Sequence, residues 1–107
     1  MRRRLLVRPL AKDDLDEQAR YIAQDNVDAA LRFLDAAEAA FERLRSFPEL
    51  GRRRDFVHPE LAKVRSWPIQ GFEKHVIFYR ASSTEIDILR IIHSARDLAS
   101  IFGPEDI

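Results

Sequence analysis

Apolar residues in the first half of the chain recur at the three- and four-residue spacing of amphipathic helices. One stripe, between positions 11 and 24, consists of Ala11, Leu15, Ala19 and Ile22. The acidic residues in its early turns complement the positive end of a helix dipole. A longer stripe, which Pro48 ends, consists of Ala30, Phe33, Leu34, Ala37, Ala40, Phe41 and Leu44. Because only Asp25-Asn26 separates the two, they predict an antiparallel hairpin, with Asp28 completing a capping-box-like start.

The second half of the chain changes to the pattern of β-strands. Three β-rich stretches at 63–69, 74–81 and 85–93 are separated by turn residues at Gln70-Gly71 and 82–84. A short apolar run at 5–7 predicts a first strand, and Ser94 is the expected cap of a final helix. The pattern therefore predicts one α+β domain over residues 1–107: an N-terminal strand, an antiparallel two-helix hairpin, a three-stranded antiparallel sheet and a short C-terminal helix.

Two of these strands are too continuously apolar for a sheet with one wet face. Residues 76–79 and 88–92 are almost without polar interruption. We expect the helices to bury one face and a partner polypeptide to bury the other. The chain without its partner is then expected to self-associate through the uncovered surface.

Composition and charge exclude several classes of protein. The 107 residues include no cysteine, which excludes disulfides, cysteine-built zinc sites and thiol nucleophiles. No apolar run approaches the ~20 residues that cross a bilayer, so a cytoplasmic protein is expected. With 18 basic and 18 acidic residues there is no basic surplus, and we expect no sequence-specific nucleic-acid binding. The arginine runs 2–4 and 52–54 suit either a partner interface or a solvated surface.

Four segments in order resemble the ParE branch of the RelE/ParE toxin superfamily, the toxin halves of type II toxin–antitoxin pairs. They are LAKDDLDEQARYIA (10–23), FPELGRRR (47–54), VRSWPIQGFEKHVIFYR (64–80) and IIHSARD (91–97). The resemblance runs from about Leu6 to Phe102, almost the whole chain. It implies a small sheet packed on a helical hairpin, without a cofactor. It also implies a cognate ParD-like antitoxin whose C-terminal segment wraps the toxin, and DNA gyrase as the target.

A RelE-like ribonuclease is the alternative within the same resemblance. Metal-free RNA cleavage needs a base, a proton donor and cations on the phosphate. The residues best placed to supply them are Lys63, Arg65, His75, Arg80 and His93. Against this alternative, His75 stands where the ribonuclease relatives carry a phosphate-binding arginine. A third interpretation is a module of the same fold that binds an antitoxin and inhibits nothing.

For the leading hypothesis no catalytic residues are expected, and the candidate sites are contact residues. They are Arg52, Arg53, Arg54, Trp67, Tyr79, Arg80, His93 and Arg96. Trp67 is expected either at a strand edge as a contact anchor or in the core against the second helix. No metal site is expected, because His58, His75 and His93 have neither i, i+4 nor His-x-His spacing.

Overall fold

Two helices and a five-stranded sheet make up the computed structural model, which describes residues 2–54 and 59–93. The elements follow one another as β1 (Arg4–Val7), α1 (Pro9–Ala23), α2 (Val27–Ser46), β2 (Arg52–Arg53), a 3₁₀ turn (Pro59–Leu61), β3 (Arg65–Ile69), β4 (Phe72–Ala81) and β5 (Glu85–His93). The predicted C-terminal helix, with Arg96, lies outside the described residues.

The helical hairpin forms where the two apolar stripes predicted it. α1 starts at Pro9, two residues earlier than expected, because a proline in the first turn sacrifices no helical hydrogen bond. The acidic residues therefore fall beyond the first turn and do not cap the helix dipole there. α2 begins after Asn26, whose side-chain oxygen accepts a 3.0 Å hydrogen bond from the amide of Ala29. Of the Asp25-Asn26 pair that separates the two stripes, Asn26 is thus the cap, and the capping-box-like start from Asp25 to Asp28 is wrong.

The sheet confirms the predicted α+β class: the predicted N-terminal strand joins the predicted three as β1, and β2 is a fifth strand that was not predicted. Its order is β1-β5-β4-β3-β2. Strands β2 to β5 pair antiparallel, whereas β1 runs parallel to β5 from the Arg4–Glu85 pair to the Val7–Ile88 pair. The connection between β1 and β5 contains the helical hairpin and the other three strands, and it supplies the long crossover that a parallel pair requires. Gly71 makes the turn between β3 and β4 with φ 85°, a left-handed conformation that suits glycine.

Both faces of the central strands are buried within the chain. The face toward the helices packs against α1 and α2 through Phe33, Phe41, Leu44, Ile77, Tyr79, Ile88 and Ile91. The opposite face carries a second apolar cluster of Leu61, Val64, Phe78, Leu89 and Ile92, none more than 5% exposed. The expectation that only a partner can cover this face is wrong, because Leu61 and Val64 already pack on it. The predicted self-association depended on this face being uncovered, so that reason for it no longer applies.

Candidate partner-binding surfaces

Residues 47–54, which follow α2, carry two of the predicted contact side chains that are exposed. We call residues 47–54 the arginine loop. Arg52 and Arg53 form the edge strand β2, pair with β3 and extend their side chains into solvent. Arg54 is half-buried, and its guanidinium lies 5.6 Å from the centre of the Phe78 ring, a cation–π contact. The three arginines are therefore not equivalent: two are available to a partner, and the third packs against the sheet.

Tyr79, another predicted contact residue, lies inside the fold. Its side chain has no exposed surface, so it cannot contact a partner in this conformation. The Tyr79 hydroxyl donates to the carbonyl of Pro48 at 2.7 Å and accepts from the amide of Gly51 at 2.8 Å. Burial raises the pKa of the phenol, against the smaller opposing effects of the Gly51 hydrogen bond and of Arg65. Tyr79 thus stays a neutral donor and fastens the arginine loop to the sheet.

Trp67 combines the two roles that the sequence left open. It is half-buried on β3 and packs against the helix-side core. It also lines a groove of about 860 Å³ between α2 and the β3–β4 turn. The other lining residues are Ala36, Ala39, Ala40, Arg43, Pro68, Gln70, Gly71 and Glu73. Small alanine side chains on the helix leave room for an incoming side chain beside the indole, so this groove is a second candidate surface.

Arg80 lies on β4 next to a charged cluster that ties β1 to β5. Asp87 is 8% exposed and accepts two hydrogen bonds from the guanidinium of Arg8, each 2.8 Å long. Arg80 approaches the same carboxylate at 3.5 Å. The bonds to Asp87 raise the pKa of Arg8 above its ordinary value. Asp87 thus interacts with two arginines. Arg80 contributes to the contacts within the fold, although part of its side chain is still exposed to solvent.

The histidines meet at the other end of β4 and β5. His75 and His93 are cross-strand partners, and their ring centres are 4.4 Å apart. Gln18 of α1 donates to the carbonyl of Ile91 at 2.9 Å, so its amide oxygen accepts from Nδ1 of His75 at 2.8 Å. His75 also packs against the Phe33 ring at 4.7 Å. Burial, and then the charge of His93, lower the pKa of His75 to about 4.

This corner of the sheet opens into a cleft of about 760 Å³ between α1 and β5. Its walls combine Tyr21, which is 72% exposed, with charged groups of both helix and strand. Among them, Asp14 accepts two hydrogen bonds from Arg90, at 2.8 and 3.0 Å, and one from the backbone amide of Ile91 at 3.0 Å. That ion pair fixes α1 on the sheet and sets the width of the cleft.

The candidate ribonuclease residues are not brought together. His93 pairs with His75, five residues from Arg80 along β4, which corresponds to about 16 Å of strand. Arg65 donates to the carbonyl of Gly51 at 2.8 Å, and Lys63 is exposed just before β3. A neutral His75 with a pKa near 4 is also a weak base at neutral pH. The arrangement therefore offers no shared centre for one phosphate.

Residues 2–54 and 59–93 contain neither a candidate metal site nor a helix that could span a membrane. No group of three or more His, Asp or Glu side chains in these ranges is placed to hold a metal ion. No helix in them is both long and apolar enough to cross a bilayer.

The Phe47 and Leu50 side chains are contact candidates that the sequence patterns did not single out. Phe47 is 60% exposed and Leu50 is 36% exposed, both in the arginine loop. A signal was present, since two large apolar residues stand beside Pro48 and Gly51, where no strand or helix periodicity requires them.

The fold is shared with a known toxin–antitoxin structure. A chain of the chromosomal ParDE TA system from P. aeruginosa superposes with a TM-score of 0.68 at 22% identity, covering 87% of this chain and 97% of that one. The two helices and five-stranded sheet of this chain thus have the same fold as that structure.

Sequence comparison shows which protein family the chain belongs to. The family model for the ParE toxin of the type II toxin–antitoxin system parDE matches residues 5–98. Toxin ParE3 of Caulobacter vibrioides is 33% identical over 104 residues, which cover 96% of this chain and 97% of that protein. The chain therefore belongs to the ParE toxin family, as the four sequence segments predicted.

Proposed function

We propose that this ParE-family toxin inhibits DNA gyrase by binding to it, without chemistry of its own, and that a cognate ParD-like antitoxin neutralises it in the cytoplasm. The observation that carries the proposal is the family match over residues 5–98, nearly the full chain. A match of that extent includes both helices, strands β2 to β5 and all of β1 except Arg4.

The dispersal of the cationic side chains supports binding over catalysis. Electrostatic catalysis on a phosphate requires several donors preorganised around one point. Here Arg80 contacts Asp87 at 3.5 Å, and Arg65 bonds the backbone of the arginine loop. His93 lies at the opposite end of β4 from both. A toxin that works by surface contact needs no such convergence.

The antitoxin is expected to use the groove beside Trp67. An apolar side chain on an antitoxin segment can pack between the indole and the alanines of α2, with Arg43 and Glu73 at the rim to orient polar groups. A segment disordered before binding gains affinity by laying an amphipathic stretch in such a groove.

Induced expression in a bacterial host separates the three functional hypotheses. Gyrase inhibition predicts DNA-damage signalling and filamentation, whereas ribonuclease activity predicts rapid translation arrest with cleaved mRNA. Harmless expression would leave only the non-toxic module. Lys63→Ala supplies the control, because this ribonuclease candidate is exposed, is not among the candidate contact residues, and its loss should spare the fold. Toxicity that survives in this variant, without mRNA cleavage, argues against the ribonuclease.

A further inference from the structure

The arginine loop presents apolar and cationic side chains together. Phe47, 60% exposed, and Leu50, 36% exposed, precede the exposed Arg52 and Arg53 in the chain. Neither of these two arginines forms an ion pair with any residue in 2–54 or 59–93. An exposed aromatic group together with exposed arginines has the composition of a binding hot spot rather than of an ordinary solvated loop.

The backbone of this loop is held in place from beneath. The Tyr79 hydroxyl bridges the Pro48 carbonyl and the Gly51 amide, at 2.7 and 2.8 Å. Arg65 donates to the Gly51 carbonyl at 2.8 Å from the neighbouring strand. A Cβ atom at Gly51 would lie 2.4 Å from the Tyr79 oxygen, so only glycine allows this approach.

Because the backbone of the arginine loop is fixed before binding, a partner does not have to order it. Ordering a mobile loop on association costs free energy, and a loop ordered in advance avoids that cost. Loops without a binding role need no such attachment, since most are mobile at the surface. The exposed side chains of the arginine loop thus extend from a backbone that hydrogen bonds from Tyr79 and Arg65 keep in one conformation.

The chemistry of the surface indicates its occupant. The exposed arginines require carboxylates or phosphates, and their planar guanidinium groups suit either. The adjacent Phe47 and Leu50 require an apolar counterpart, which a polypeptide supplies and a phosphate backbone does not. The carboxylate of Glu49, exposed in the same loop, is also unfavourable next to phosphates. Charge and apolarity together favour an acidic polypeptide surface with an apolar side chain.

We propose that the arginine loop is the docking surface for an acidic, partly apolar protein segment on gyrase itself, and that Tyr79 is a positioning residue for it. This proposal rests on gyrase being the target and adds the site and the chemistry of the contact. Phe47 and Leu50 supply the apolar part of the contact, while Arg52 and Arg53 supply its charge.

The direct test is binding of the purified protein to gyrase subunits without DNA, with supercoiling inhibition measured in parallel. Arg52→Glu combined with Arg53→Glu should weaken both by roughly tenfold or more. Arg20→Glu combined with Arg32→Glu makes the same charge change on exposed helical positions and should have little effect. The affinity for the antitoxin should be unchanged in both variants, which also shows that they fold.

Tyr79→Phe tests the positioning role. It retains the ring and removes both hydrogen bonds to the loop. Gyrase binding should fall by a factor of about three to ten while antitoxin affinity stays constant. A purely structural role would not produce this selectivity, because general destabilisation lowers both affinities.

Several results would overturn the proposal, and they are distinguishable. If the wild type inhibits gyrase and the Arg52/Arg53 variant inhibits equally, the docking site is wrong while the function stands. If the control variant loses as much, the effect is one of net charge. If only antitoxin binding falls, the arginine loop is a contact surface for the antitoxin. If only binding to a short DNA duplex falls, the loop is a phosphate site. If the wild type does not inhibit gyrase, the proposed function itself fails.

Discussion

Acidification is expected to destabilise the protein through His75, which is buried in the folded chain. His75 is 9% exposed, donates from Nδ1 to Gln18 and packs against Phe33 and His93. Protonating its second ring nitrogen would place a charge in this buried contact. The pKa of His75 in the folded protein is accordingly lowered from 6.5 to about 4, first by burial and then by His93.

Proton linkage gives the direction and the size of the change in the free energy of unfolding with pH. Between pH 6.5 and about 4 the unfolded chain binds a proton at His75 that the folded protein does not bind. The free energy of unfolding therefore falls as the pH falls through this window, with a limiting slope of about 1.4 kcal/mol per pH unit. From pH 7 to pH 5 the loss from this one group is about 2 kcal/mol, and it approaches about 3 kcal/mol at the acid end.

Urea denaturation followed by circular dichroism at several pH values from 5 to 7 measures this loss. His75→Gln provides the comparison, because glutamine does not titrate and every other ionisable group is unchanged. These include Asp14, Glu17 and Arg90, which line the same cleft, and His93. The wild type should lose about 2 kcal/mol more than the variant between pH 7 and pH 5. Parallel pH profiles for the two proteins would refute this assignment to His75.

Three further substitutions test the fold around the binding surfaces, each by urea denaturation at pH 7. Asp14→Ala removes a carboxylate that accepts two hydrogen bonds from the largely buried Arg90 guanidinium and should cost about 3 kcal/mol; a loss under about 1 kcal/mol would mean that solvent already screens the pair. Gly51→Ala places a Cβ atom against the buried Tyr79 ring and should cost about 2 kcal/mol, so a neutral result would contradict the tight loop attachment. Asn26→Ala should cost about 1 kcal/mol by loss of the helix cap, while Asn26→Asp should retain most of the stability.

Local patterns in the sequence were sufficient for the elements that bury a continuous apolar face. The stripe from Ala30 to Leu44 became α2, and the runs ending at Ala81 and His93 became β4 and β5. Burial of such a stripe is decided by residues three or four positions apart, which a single sequence displays directly.

Contacts between distant parts of the chain could not be predicted in this way. The attachment of Tyr79 to Gly51 depends on how the loop folds back over 28 residues, and the pairing of His75 with His93 depends on strand register. The cover that Leu61 and Val64 give to the second sheet face was missed for the same reason. A sequence shows which side chains exist, but the register decides which of them meet.

This ParE-family chain is proposed to act on gyrase by contact. The most direct measurement is the supercoiling of relaxed plasmid by purified gyrase in the presence of the purified protein, with and without the cognate antitoxin. Inhibition that rises with toxin concentration and disappears when the antitoxin is added is the predicted result. Unimpaired supercoiling at a large molar excess of folded toxin would contradict the claim.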